Sequence, residues 1–393
     1  MNTFLRKFQR STNSTNFIPE IDGLRFYAII TVVIFHLNTA YSEAVGLDDL
    51  GISQMGGKYN MWRLAWWIIR LDMGVKVFFA ISGFVLALPF LSHYLKGTNP
   101  VNLKMYFYRR LTRLEPPFIV SLIIFFFVHL FILNESFSSL LPHLGVGLIY
   151  GHVFVYGYPS PINPVTWSLE TEAQFYVLVP AFFALLFFKR NTHHYILVLT
   201  LLFGLSVVGR FYITENQYIH LGRSIIVFFS NFLTGIIIAW IYLTHKAFLY
   251  KRTLWWDIIS LLSLFGMFYF YKPQHFVLNN LSFNLCVFIF FIGSFKGRAS
   301  NWFFTRPLIY IIGGMCYSIY LLHYAFFHLI VKYTTHVAIG FNYESNLFLQ
   351  FLLCIPITLL VTSVFFLLFE KPFMDKKWPQ KLRNKIKAIN AKF

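Results

Sequence analysis

An all-α integral membrane protein of about ten transmembrane helices is the fold class this sequence predicts, on three observations. Hydrophobic residues fill 57% of the 393 positions and charged residues only 12%, about half the ~25% usual in soluble domains. Apolar runs of ~18–25 residues, long enough to cross a bilayer, recur along the chain. The 33 lysines and arginines, against 15 acidic residues, cluster on alternate loops, the bias that orients membrane helices. The composition leaves no room for a sizeable soluble module. The net charge of +18 reads as orientation signal and anionic-lipid contact, with no nucleic-acid partner.

Taken in order, residues 1–23 are a basic, cytoplasmic N-terminus. The first span, 24–42, is expected to be retained, because Asp22, Arg25 and His36 interrupt the pattern of a cleavable signal. Spans follow at 74–94, 114–133, 165–188, 194–213, 221–243, 254–271, 277–295, 308–332 and 346–369. The membrane domain is thus 24–370, followed by a basic cytoplasmic tail, 371–393. The run LPHLGVGLIYGHVFVYGYP at 141–159 is short and rich in glycine and histidine. It is expected to be re-entrant or interfacial, because irregular backbone at membrane depth needs shelter from protein or water. With both termini cytoplasmic, 25 of the 33 basic residues lie on the inner side, as the charge bias requires. Counting 141–159 as a span would put most of the later basic loops outside.

Cys286, Cys316 and Cys354 all fall in apolar stretches and are expected to be ordinary buried hydrophobes. No metal site is expected. His323 and His328 are five apart, a poor spacing for one ion on a helix face, and no HExxH pattern exists.

Ionisable residues inside spans are costly and point to function. Arg25 and His36 are eleven residues apart, which is three helical turns plus about 20°, so they share a face about 16 Å apart along the axis. A snorkelling arginine and a histidine bonded within the bundle is the plainer alternative. Reckoned by depth, Ser82 and Glu172 reach a layer similar to that of His36, with Tyr320 and His323 nearer the midplane. A carboxylate, imidazoles and hydroxyls at one depth suit proton transfer. Glu170, two residues from Glu172, points to another face and is expected at the interface. The remaining histidines, His143 and His152 among them, are expected in solvated structural roles. Arg109, Arg110 and Arg113 precede the third span; Arg110 and Arg113 share a face, and guanidinium forks suit phosphate oxygens.

In combination these stretches resemble the acyltransferase-3 family of membrane O-acyltransferases. IDGLRFYAIITVVIFH resembles its opening signature, here Arg25, ten residues and His36. GVKVFFAISGFVL resembles its Ser-Gly-Phe element at Ser82, Gly83 and Phe84, and FYRRLTRLEPPF is similar to its arginine motif. WSLETEAQFYVLVP matches at Trp167, Ser168 and Glu172; YSIYLLH and FEKPF supply Tyr320, His323, Glu370 and Pro372. The matches run in order over residues 18–373. Two features depart from the pattern. Lys76 stands where many members carry an acidic or other polar residue, which points to acceptor specificity, and no extracytoplasmic esterase-like domain is expected after the last span.

The resemblance implies a multi-pass protein of the bacterial inner membrane. It would transfer an acyl group, most often acetyl, from cytoplasmic acyl-CoA to a hydroxyl of a cell-envelope glycan or lipid-linked sugar. Acetyl-CoA would be the donor, without a metal. His36 is the expected general base. Glu172 would orient the imidazole or shuttle the proton, and Ser82, Tyr320 or a backbone amide near Gly83 would donate to the developing oxyanion. Arg25, Arg109, Arg110 and Arg113 would hold CoA phosphates. Direct transfer is expected over a Ser82 acyl-enzyme, because no Gly-x-Ser-x-Gly elbow is present. Two rivals stand beside this reading: a multi-span transporter or flippase of a glycan or lipid-like substrate, and a different acyltransferase type centred on His323 alone. Peptidoglycan, lipopolysaccharide and exopolysaccharide acceptors are alike at this level.

Overall fold

The structure is a computed structural model that describes residues 7–10, 17–47, 49–189, 191–271, 277–340, 342–375 and 378–380. Much of the N-terminus expected over 1–23 and most of the tail expected over 371–393 lie outside the described residues. The principal helices are α1 (Pro19–Ala44), α2 (Gly74–Lys96), α3 (Leu103–Phe131), α4 (Phe137–Leu148), α5 (His152–Tyr156), α6 (Trp167–Leu186) and α7 (Thr192–Glu215). They continue as α8 (Ile225–Thr244), α9 (Leu254–Phe270), α10 (Val277–Lys296), α11 (Pro307–Gly314), α12 (Cys316–Thr334) and α13 (Tyr343–Phe365). Among the described residues no β-strand forms.

Each span expected from the sequence coincides with helix, and the all-α membrane class stands, with eight to nine helices able to cross among the described residues. Among the described residues, eight helices, α1, α2, α3, α6, α7, α8, α10 and α13, are each long and apolar enough to cross a membrane. The apolar α9 has only 17 residues, about 26 Å of rise. The span expected at 308–332 is the pair α11 and α12, bent by 70° at Met315. Hydropathy cannot register that break, because Gly313, Gly314 and Met315 leave the apolar run unbroken. The stretch expected to be re-entrant or interfacial folds as α4, of 12 residues, followed by the single turn α5. At about 18 Å, α4 is too short to span.

Local chemistry accounts for the helix ends. Pro19 opens α1 with Glu20 and Asp22 in its first turn, where the free N–H groups favour negative charge. Asn102 caps α3 by accepting from the Met105 amide at 2.9 Å, and Asn342 caps α13 through the Ser345 amide at 2.9 Å.

Small residues set the packing, as they do where lipid rather than water surrounds the helices. A Cβ on Gly235 of α8 would stand 1.8 Å from the Ala80 carbonyl oxygen of α2, and one on Gly83 would stand 2.1 Å from that of Phe232. The two backbones therefore touch. Gly313 of α11 lies equally close to Asp22 of α1. Around the α2–α8 contact, rings stack: Phe232 lies 4.8 Å from Phe79 and 4.0 Å from Phe175, centroid to centroid. These contacts fix α1, α2, α6 and α12 around two polar chambers.

Candidate active site

The first chamber is lined by Arg10, Arg25, Arg109, Arg110 and Arg113 together with Ser82, Glu172 and Glu370. Helix α3 presents three of its arginines within two turns, so they converge from one element. Arg110 lies over the rings of Tyr106 and Tyr176, 4.5 and 5.3 Å from their centroids, and its buried Nε has no partner. Asp22, at the start of α1, pairs with both Arg10 (3.1 Å) and Arg25. It anchors Arg25 and brings Arg10, before the first span, into the chamber. Five arginines against Asp22, Glu172 and Glu370 leave an excess of positive charge, and guanidinium groups so arranged suit phosphate oxygens.

The break between α11 and α12 opens onto this chamber, since Gly314 and Cys316 line it. Glu370, from the turn after α13, accepts from the Ser318 amide at 3.0 Å and the Ser318 hydroxyl at 2.5 Å. It thereby satisfies the exposed N-terminus of α12. Deeper in the same chamber the Ser82 hydroxyl donates to Glu172 Oε1 at 2.5 Å.

The second chamber is lined by His36, Asp72, Lys76, Trp167, Arg210, Arg223 and Tyr271, and has a volume of about 380 Å³. Ser168 and Tyr320 line both chambers and stand between them. Their hydroxyls are 2.9 Å apart, and Tyr320 donates to the Val165 carbonyl. Tyr320 has one hydroxyl proton, so Ser168 is the donor of the pair.

His36 Nδ1 lies 2.8 Å from His323 Nε2. The tautomers follow from the neighbours. His323 Nδ1 faces two carbonyl oxygens, of Ile319 at 3.0 Å and Tyr320 at 2.9 Å, and must carry a proton. In neutral His323, Nε2 is then the acceptor. His36 donates from Nδ1, and its Nε2 keeps a lone pair. His323 is fully buried, whereas His36 borders the cavity.

Of the residues singled out from the sequence, the structure brings His36 together with His323, and Ser82 with Glu172. It gathers Arg25, Arg109, Arg110 and Arg113 into one chamber and sets Tyr320 on the partition. It does not pair Glu172 with His36: the two line different chambers, and His323 takes the orienting position. The hydroxyl protons of Ser82 and Tyr320 are both already engaged, by Glu172 and by the Val165 carbonyl. Glu170, expected at the interface, is buried and accepts from the Val153 amide at 2.9 Å. His152, expected to be solvated, is buried and lies 2.9 Å from His143. Sequence reasoning missed the pocket roles of Arg10 and Asp22; the i,i+3 spacing of Asp22 and Arg25 was the available signal. No group of three or more metal-ligating side chains occurs among the described residues.

Residues 18–367 match a family model described as an acyltransferase domain. The O-acetyltransferase OatA of Staphylococcus aureus strain NCTC 8325 is 26% identical over 342 residues, covering 79% of this chain and 51% of the relative. The peptidoglycan O-acetyltransferase OatA of Listeria monocytogenes is 27% identical over 212 residues, 51% of this chain and 29% of the relative. The chain thus spans about half the length, or less, of these curated relatives. No solved structure matches it.

Proposed function

The chain belongs to the acyltransferase-3 family, and on that premise we propose that it is an O-acetyltransferase, moving acetyl from acetyl-CoA to a hydroxyl of a cell-envelope glycan. The arginine chamber faces the cytoplasm in this reading and takes the donor. The His36 chamber faces outward and takes the acceptor. The observation that carries the proposal is the pair of chambers meeting at Ser168 and Tyr320, one rich in arginine and the other holding a histidine with a free ring nitrogen. Both OatA relatives are O-acetyltransferases, which supports acetyl as the group moved, and the Listeria relative acts on peptidoglycan, which supports an envelope glycan as its destination.

In the proposed reaction the CoA phosphates rest on Arg109, Arg110 and Arg113, with Arg25 nearer the partition. The flexible arm of the donor carries the thioester past Ser82 towards Ser168. His36 Nε2 takes the proton of the acceptor hydroxyl while its oxygen attacks the thioester carbonyl. The new C–O bond forms, the C–S bond breaks, and the proton passes from His36 to the departing thiolate. Charge developing on His36 is stabilised by the Nδ1–H bond to His323. Glu172 acts through Ser82, holding that hydroxyl beside the donor path. A transporter would also line a path with polar groups, paired histidines included; the acyltransferase family model matched over residues 18–367 is what favours transfer.

Mass spectrometry of envelope glycans from cells with and without the protein tests the proposal. A base-labile acetyl group present only with the protein supports it. Identical glycan profiles would remove it.

A further inference from the structure

Lys76, Arg210 and Arg223 all face the His36 chamber. Lys76 lies in the first turn of α2 and is 7% exposed. Its Nζ sits 4.1 Å from the centroid of Tyr271 and 5.0 Å from that of Phe283. Arg210 reaches from α7 to Asn280 Oδ1 at 3.2 Å. Arg223 lies over Trp167, 5.3 Å from the ring centroid. Among the described residues, the ion pairs within 4.0 Å involve none of these three cations. Asp72 is the one carboxylate lining the chamber. Its Oδ2 accepts from the Tyr271 hydroxyl at 2.8 Å, while its buried Oδ1 has no partner.

Three cations and one carboxylate therefore line one chamber. A buried charge without a counter-ion is costly, and the fold supplies too few. The missing partner is an anion, and the cavity puts it beside His36. A cavity of this size falls in the ~300–1,000 Å³ range of small-molecule sites. We infer that the His36 chamber binds an anionic group carried by the acceptor sugar, a carboxylate or a phosphate, with Lys76 and Arg210 as its counter-ions. The inference rests on the acyltransferase reading above and narrows its substrate class to acidic glycans. Arg210 offers a fork to two oxygens and Lys76 a point charge. Trp167 and Tyr271 give apolar faces to the ring, and Asp72 Oδ1 accepts a sugar hydroxyl. Neutral sugars would leave both cations unpaired.

The test is thermal unfolding of the purified full chain in detergent. Sodium glucuronate, glucose 1-phosphate and glucose are each compared with sodium chloride at equal ionic strength. Stabilisation by at least one of the two anions, and none by glucose, is expected. Glucuronate alone assigns a carboxylate, and glucose 1-phosphate alone a phosphate. Lys76→Met and Arg210→Gln should each weaken the apparent affinity of the anion at least tenfold, and Lys76→Arg should retain it. Without anion, Lys76→Met should unfold no lower than the parent, because an unpaired buried cation has gone. Arg113→Ala, in the other chamber, should leave the anion effect intact. No anion effect, an effect unchanged in both Lys76→Met and Arg210→Gln, or one lost in Arg113→Ala, overturns the inference. Acetyl-CoA added to the same samples reports separately on the enzyme reading: stabilisation by acetyl-CoA without anion discrimination removes this inference alone.

Discussion

Replacing His323 is the most discriminating perturbation of the proposed chemistry. His323 lines neither chamber, yet its Nε2 accepts from His36 Nδ1 at 2.8 Å. It fixes the His36 tautomer and stabilises the imidazolium that forms during transfer. A hydrogen bond to a charged group contributes about 1.5–3 kcal/mol, and each 1.36 kcal/mol is tenfold in rate. His323→Leu should therefore lower kcat by about 10- to 150-fold, with the KM for acetyl-CoA unchanged. His36→Ala removes the base itself and should cost about 10²- to 10⁴-fold. The double variant should be no slower than His36→Ala alone, because the two residues act as one unit. His323→Gln, whose side-chain oxygen can accept from His36, should recover part of the loss. Transfer of radiolabelled acetyl from acetyl-CoA into glycan, in membranes with matched protein levels, measures all four variants. Parental kcat in His323→Leu would refute the orienting role. A large loss in His323→Leu beside a small one in His36→Ala would instead favour a catalyst centred on His323.

Three further outcomes follow from the geometry. Arg113→Ala should raise the KM for acetyl-CoA by about tenfold or more with kcat little changed, since a charge-assisted bond to phosphate is worth about 1.5–3 kcal/mol; an unchanged KM in donor-titrated transfer assays removes it from the donor site. Asp22→Asn leaves Arg10 and Arg25 without their shared carboxylate, a loss of about 3 kcal/mol at the lower end for a broken buried pair, because both arginines keep some exposure. Thermal unfolding in detergent should show a clear fall, and an unaltered midpoint counts against the anchoring role. Gly235→Leu forces α2 and α8 apart where a Cβ would stand 1.8 Å from the Ala80 oxygen. Overpacking of this kind costs about 1–3 kcal/mol, read as a lowered unfolding midpoint, whereas retention of the parental midpoint would show that the helices can separate freely.

The spans were legible because apolar length is a property of one segment at a time. The 70° break before α12 was not, since Gly313 and Gly314 sit inside an apolar run and leave hydropathy unchanged. Arg25 and His36 were legible as one stripe of α1 because their spacing is local. The partner of His36 was not: His323 lies 287 residues away, and depth reckoning orders groups along the membrane normal without saying which helices adjoin. For the same reason Glu172 was assigned to His36, although α6 and α2 turn it towards Ser82 instead. The arginines of α3 declared themselves as a cluster, while Arg10 reached the same chamber only through Asp22. Lys76 stood out in sequence as a departure from the family pattern, but its want of a counter-ion is a property of the folded cavity.

The sidedness of transfer is the most direct measurement. The purified protein is reconstituted in sealed vesicles and sorted by the orientation of a terminal tag. Radiolabelled acetyl-CoA is supplied only on the face of the arginine chamber, and glycan acceptor only on the other. Transfer across the membrane, abolished by His36→Ala and dependent on that arrangement of donor and acceptor, is the result predicted by two chambers meeting at Ser168 and Tyr320. Label appearing only when donor and acceptor share one face, or no acetyl transfer in any arrangement, would contradict it.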